Sequence, residues 1–109
     1  MNMNEYQSLS TRTLPKNNQF DNLANYALGI VGESAEVADE LKKVIYHGHD
    51  LNVDKLAEEL GDVSHYLAGL CTMLDLSLED VAKGNINKLK KRFPNGFNKE
   101  DSIKRADHD

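Results

Sequence analysis

The sequence predicts an all-α domain, because apolar residues recur at helical spacing along two long stretches and no segment alternates as a β-strand does. Short breaks rich in Gly, Pro, Asn and Asp separate the helical stretches. Long helices joined by short connections usually pack antiparallel. We therefore expect a helical hairpin with flanking helices, a four-helix bundle-like domain that oligomerisation completes.

Four helical stretches follow from this punctuation, at about residues 4–11, 20–46, 53–74 and 77–92. Asn52 and Ser77 precede the third and fourth stretches and have side chains suited to N-caps. Residues 1–97 form the expected domain, and a polar break at residues 16–18 follows its first helix. Residues 98–109 lack an apolar stripe, so they are predicted to form a frayed polar tail.

The chain has 109 residues, of which 39% are hydrophobic, so it can build one small core. Any apolar helix face left over after folding favours pairing with a second copy, and we expect a homodimer or homotetramer. The lone Cys71 lies in an apolar stripe and is expected to be a buried thiol in a reducing compartment.

The formal net charge of -5 argues against nucleic acid or an anionic membrane as a partner, because phosphate groups attract surplus Lys and Arg. No stretch approaches the roughly 18 apolar residues of a membrane span. The expected location is the cytoplasm. A free nucleotide remains possible as a ligand, since divalent cations between carboxylates and phosphates reverse the local charge.

Carboxylates cluster on one strip of the second stretch, where Glu33, Glu36 and Glu40 fall within about 60° of one another at helical spacing. This strip borders the apolar face rather than opposing it. The third stretch repeats the arrangement with Glu59 and Asp62 beside its leucine stripe. Two such pairs can meet across a hairpin, where their mutual repulsion requires a compensating cation.

A hard divalent cation such as Mg²⁺ suits this need, because it takes oxygen ligands and bridges carboxylates to substrate phosphates. The alternative is a pair of solvated acidic faces, which are common on helices. The position of both pairs at the rim of apolar stripes weighs against that alternative without removing it.

The segments ESAE at residues 33–36 and ELGD at residues 59–62 resemble the ExxE…ExxD signature of the MazG-like all-α nucleoside triphosphate pyrophosphohydrolases. A third block, NINKLKKRFPNGF from Asn85, is also similar to that family in order and separation. The resemblance runs from about Tyr6 to Phe97, and three ordered blocks over a short chain make it fairly specific.

The resemblance implies a Mg²⁺-dependent attack of water on a nucleoside triphosphate that releases pyrophosphate, with Mn²⁺ as a substitute ion. The implied metal-binding set comprises four acids, Glu33, Glu36, Glu59 and Asp62. A bound divalent ion would neutralise phosphate oxygens and lower the pKa of a water molecule. The carboxylate that accepts the proton is left open between Glu36 and Glu40.

The resemblance also carries over Asn85, Lys88 and Arg92 as substrate-binding candidates. Asn85 lies inside the apolar stripe of the fourth stretch, where a buried amide needs partners, and Lys88 and Arg92 on its flank suit phosphate oxygens. An interhelix hydrogen bond is the other interpretation of Asn85. Tyr66, near Glu59, is a candidate to border the base, although an aromatic residue at that spacing also suits a core.

Three functions follow as hypotheses. The first is the pyrophosphohydrolase, and the second keeps its fold and metal site but takes another nucleotide, such as phosphoribosyl-ATP or a modified nucleotide. The third is a non-catalytic helical binding or regulatory module, which would bind no magnesium. The preferred base and sugar are not predicted by the sequence.

Overall fold

The computed structural model describes residues 1–16 and 18–108, so Asn17 in the predicted break and Asp109 at the end of the predicted tail lie outside the described residues. The described chain contains helices and no β-strand, which confirms the predicted all-α fold. Its five α-helices are α1 (Met3–Ser10), α2 (Gln19–His47), α3 (Val53–Met73), α4 (Leu78–Arg92) and α5 (Lys99–Lys104).

The first four helices end within about one residue of the predicted bounds, because local capping groups define them. The side chain of Asn52 accepts a hydrogen bond from the N–H of Lys55 at 3.1 Å, and Ser77 accepts one from the N–H of Asp80 at 3.3 Å. Gly48 ends α2 with a left-handed φ of 71°. Both predicted N-caps are confirmed.

The α2–α3 hairpin is held together by two tyrosines that each pack against a glycine of the opposite helix. Tyr66 of α3 lies against Gly29 of α2, and Tyr26 of α2 lies against Gly69 of α3. The two rings meet edge to face, with centroids 5.1 Å apart. The glycines thus let the hairpin close around a pair of aromatic rings.

Helix α1 is fixed on this hairpin by Gln7, whose amide group spans the turn between α3 and α4. Its Nε2 donates to Thr72 Oγ1 and to the carbonyl of Leu76, both at 2.9 Å. Its Oε1 accepts from the N–H of Leu78 at 2.7 Å. These bonds satisfy the backbone of a tight turn in which Asp75 takes a positive φ of 59°.

The buried apolar core of the described chain is small and consists of Tyr26, Ala68, Cys71 and Leu78. Burial of Cys71 confirms the predicted core thiol, and desolvation raises its pKa. The radius of gyration is 17.0 Å, against roughly 13 Å expected for a compact chain of this length. No helix of the described residues is both long and apolar enough to cross a bilayer.

The predicted polar tail contains regular structure up to residue 108. Helix α5 begins after the N-cap Asn98, whose side chain accepts from the N–H of Asp101 at 2.7 Å. Asp107 then accepts two hydrogen bonds from the guanidinium of Arg92, at 2.9 and 2.8 Å. Composition alone predicted fraying because this segment lacks an apolar stripe, whereas its order comes from caps and a bidentate ion pair.

Candidate carboxylate site

The two predicted acidic pairs lie on the facing helices of the hairpin, Glu33 and Glu36 on α2 and Glu59 and Asp62 on α3. Partial burial raises the pKa of Glu33, and the negative charges of Glu36 and Asp62 raise it further. Electrostatic influence between Glu33 and Asp62 requires proximity across the helix pair. The tertiary structure therefore brings the two acidic pairs into one charged cluster.

Glu59 is the most buried acid of this cluster, with 8% of its surface exposed. Desolvation raises its pKa, and the charge of Glu40 adds to the effect. Among the residues that the structure describes, one carboxylate oxygen of Glu59 and one of Glu33, Oε2 in each, are buried without a hydrogen-bond partner. Buried carboxylate oxygens are normally paired, so these two atoms are unusual and mark the cluster as more than a solvated acidic face.

Lys55 is a residue of this cluster that the sequence reasoning missed. Its Nζ donates to Glu40 Oε1 at 2.8 Å, across the hairpin from α3 to α2. This hydrogen bond lowers the pKa of Glu40 and raises that of Lys55. In the sequence Lys55 stands four residues before Glu59, a spacing that suggests an ordinary pair within one helix. Only the packing of the hairpin shows that its partner is Glu40.

Within residues 1–16 and 18–108, no group of three or more His, Cys, Asp or Glu side chains is arranged to hold a metal ion. The donors nevertheless fit a hard divalent cation in kind, since the cluster offers carboxylate oxygens and two of them are buried and unpaired. Glu36 and Asp62 are the exposed acids of the cluster, whereas Glu33 is partly buried and Glu59 is buried.

Tyr66 is partly buried between α2 and α3, where its ring packs edge to face on Tyr26 and against His65 at a centroid distance of 5.4 Å. His65 in turn shares a hydrogen bond with Ser10 through Nδ1, at 2.8 Å. These contacts match the core interpretation of Tyr66, which the sequence left open beside a role at the base.

Asn85 was expected to be buried, but in the single chain described here Asn85 and Lys88 are both exposed on α4. Helix α4 buries Leu78 at its first turn, but the later stripe residues Val81 and Leu89 are about 40% exposed. Apolar spacing correctly marks a face of the helix, but it does not show that another helix covers that face.

The guanidinium of Arg92 is the third predicted contact on α4, and it is occupied by Asp107. This pairing raises the pKa of Arg92 and holds the pKa of Asp107 far below its usual range. Arg105 also reaches Asp107, at 3.5 Å. A carboxylate therefore takes the place at Arg92 that the sequence assigned to a substrate phosphate.

Comparison with known protein families agrees with the all-α fold. The profile of the MazG nucleotide pyrophosphohydrolase domain matches residues 21–97, which span α2, α3 and α4. The Gene 37 protein of Mycobacterium phage L5 is 38% identical over 80 residues, covering 70% of each chain. No solved structure gives a significant match. The chain belongs to the MazG nucleotide pyrophosphohydrolase domain family.

Proposed function

We propose that the protein is a Mg²⁺-dependent nucleoside triphosphate pyrophosphohydrolase that converts a ribo- or deoxyribonucleoside triphosphate to the monophosphate and pyrophosphate. The observation that carries this proposal is the pair of buried, unpartnered carboxylate oxygens of Glu33 and Glu59 on facing helices. Such atoms are unfavourable unless a ligand compensates them, and family membership identifies nucleotide hydrolysis as the chemistry.

Glu33, Glu36, Glu59 and Asp62 are the proposed metal-binding residues, with Mn²⁺ as an alternative ion. A bound divalent ion supplies charge neutralisation at the phosphates and an acidified water molecule. The hairpin holds Glu59 in a desolvated position, where an ion–carboxylate interaction is stronger than it is in bulk water. Glu36 and Asp62 are the solvent-exposed members of the set.

Of the two candidates for accepting the proton from water, Glu36 is the better supported. Glu40 forms an ion pair with Lys55 that lowers its pKa, and a carboxylate held in that state is a weaker base. Among the described residues Glu36 forms no salt bridge. In this proposal Lys55 and Glu40 flank the reacting centre, and the ion pair with Lys55 keeps Glu40 ionised.

Asn85 and Lys88 are proposed to contact the substrate from α4, where both are exposed and available. Arg92 can join them only when a phosphate replaces the carboxylate of Asp107, because the guanidinium is already bound bidentately. Tyr66 is proposed to border the base only through the part of its ring that the helix pair leaves accessible.

A homodimer or homotetramer is proposed as the working form. Three observations support it: the small core, the large radius of gyration and the exposed apolar residues along α3 and α4, such as Leu60 at 54% and Ile86 at 50%. A second copy would cover this surface and complete the bundle. Light scattering coupled to size-exclusion chromatography measures the mass, and a monomer of 12.2 kDa would refute the proposal.

The testing experiment measures pyrophosphate release from a panel of ribo- and deoxyribonucleoside triphosphates, with and without Mg²⁺. We expect Mg²⁺-dependent turnover that disappears in Glu36→Gln and persists in Asp39→Asn, a variant of an exposed acid on the same helix. Phosphoribosyl-ATP and modified nucleotides belong in the same panel. Turnover on those nucleotides alone would identify one of them as the substrate in place of a nucleoside triphosphate. No turnover on any nucleotide would favour a non-catalytic binding module.

A further inference from the structure

The contact between Gly29 and Tyr66 is closer than any side chain at position 29 would allow. A Cβ atom built on Gly29 would lie 2.5 Å from both Cδ1 and Cε1 of the Tyr66 ring. Non-bonded carbon atoms do not approach each other that closely, so either the ring or one of the helices would have to move. The ring is therefore seated directly on the backbone of α2.

This seat lies next to the carboxylate cluster on both helices. Gly29 precedes Glu33 by four residues, and Tyr66 follows Asp62 by four residues, so each stands one turn or about 6 Å along its helix from an acid. At the other side of the cluster, Lys55 joins Glu40 across the hairpin. The acids are thus bracketed by an aromatic contact at one end and an ion pair at the other.

We propose that Gly29 and Tyr66 are a positioning pair, which sets the separation of α2 and α3 at the carboxylates and thereby the affinity of the cluster for a divalent cation. The inference rests on the proposed metal-binding function. It gives Tyr66 a role through helix spacing and assigns a function to Gly29, which no motif in the sequence indicates.

The physical reason is the narrow tolerance of metal ligation compared with that of helix packing. Ligand oxygens must be held to within about 0.5 Å for a productive site. A methyl group inserted between a ring and a helix backbone displaces one of them by a distance of that order or more. A change that the fold accommodates can therefore still disturb the cluster.

The test measures binding of Mn²⁺ alone, without nucleotide, by the electron paramagnetic resonance signal of the free ion. For Gly29→Ala we expect an affinity about tenfold lower than that of the wild type, because the ligands on the two helices no longer converge. The matched control is Gly32→Ala, on the same helix and closer to Glu33. A Cβ on Gly32 meets nothing within 4 Å, so its affinity should be unchanged.

Gly69→Ala separates a local effect from general loosening of the hairpin. A Cβ on Gly69 would overlap the Tyr26 ring, so the steric conflict is comparable. Gly69 follows Asp62 by seven residues, however, which is about 10 Å along α3, against about 6 Å for Tyr66. We expect Gly69→Ala to lower the unfolding temperature while reducing Mn²⁺ affinity much less than Gly29→Ala does.

A rescue experiment tests the pair directly. The double variant Gly29→Ala/Tyr66→Ala removes every ring atom that a Cβ on Gly29 would overlap, Cγ included, and the affinity should return to within about threefold of the wild type, as expected for coupled neighbours. Should Gly29→Ala fail to fold, Tyr66→Leu and Tyr66→Phe provide the comparison. The Phe ring keeps the contact with Gly29 and should keep the Mn²⁺ affinity, whereas Leu should lower that affinity.

The outcomes distinguish this inference from the function on which it rests. A wild type that binds no Mn²⁺ and releases no pyrophosphate overturns both. A wild type that binds Mn²⁺ with unchanged affinity in Gly29→Ala, or with equal losses in Gly29→Ala and Gly69→Ala, overturns the positioning pair alone. Failure of the double variant to recover affinity also counts against it.

Discussion

Glu59 and Asp107 are two shielded carboxylates of this molecule in opposite electrostatic surroundings. The side chain of Asp107 is fully enclosed, yet Arg92 and Arg105 bind it and hold its pKa far below the usual range. Glu59 is 8% exposed, has a raised pKa, and has an oxygen with no hydrogen-bond partner in the described part of the chain. One acid is satisfied by the chain itself, and the other is not.

The difference separates an acid with a structural role from one that requires a ligand. Asp107 stabilises the folded chain, because its ionised form has cationic partners that the unfolded state lacks. Ionised Glu59 opposes folding, because desolvation and the negative charge of Glu40 outweigh the nearby positive charge of Lys55. A bound cation would compensate this unfavourable charge, so the comparison supports the proposed metal site.

The largest expected effect comes from Glu59→Gln, which should reduce pyrophosphate release about 100-fold or more through loss of a metal ligand. Glu58→Gln, the same change at an exposed neighbour, should retain activity.

Because the pKa of Glu59 is raised, its stabilising contribution is greatest at low pH and is lost as pH rises through that pKa. The unfolding temperature of metal-free Glu59→Gln should therefore be no lower than that of the wild type at pH 7. A clear fall in that temperature would contradict the contrast between Glu59 and Asp107.

A smaller effect of opposite sign is expected when the cation beside the cluster is neutralised. In Lys55→Gln the acids lose a nearby positive charge, so Mn²⁺ should bind roughly threefold more tightly. Lys42→Gln is the matched control, since it removes the same charge from an exposed site that pairs with Asp39. Weaker Mn²⁺ binding in Lys55→Gln would mean that Lys55 supports the site by holding Glu40 in place.

Asp107→Asn should lower the unfolding temperature by about 5 °C near neutral pH, because the guanidinium of Arg92 loses its carboxylate partner. The lowered pKa of Asp107 means that its contribution is complete above the ordinary Asp range and is lost as pH falls through the depressed value. The melting curves of variant and wild type should therefore converge in strong acid. A constant difference at all pH values would assign the effect to packing instead.

The smallest effect is expected for Asp39→Asn, whose ion pairs with Lys42 and Lys43 are exposed. Lys43 lowers the pKa of Asp39 by hydrogen bonding, but solvent screens such surface pairs. The unfolding temperature should change by about 1 °C or less. A shift as large as that of Asp107→Asn would show that lowered pKa alone, and not enclosure, governs the stabilisation.

Much of the fold follows from short-range patterns, and the structure agrees with these. Asn52 and Ser77 cap the helices they precede, and Cys71 lies in the core that its apolar neighbours predict. The charged cluster was also predictable, because Glu33 and Glu59 each lie at the rim of an apolar stripe on adjacent helices. The burial of Asn85 could not be predicted in the same way, since a stripe does not reveal which neighbour covers it.

The sequence by itself determined the helices, their caps and the rows of acids along them, because these depend on interactions within four residues of the chain. Only the tertiary structure decided that Lys55 pairs with Glu40, that Tyr66 rests on Gly29 and that Asp107 holds Arg92. The first two contacts join residues of different helices, and the third joins α4 to the segment that follows α5. Such partners are selected by how whole helices pack, which no local spacing encodes.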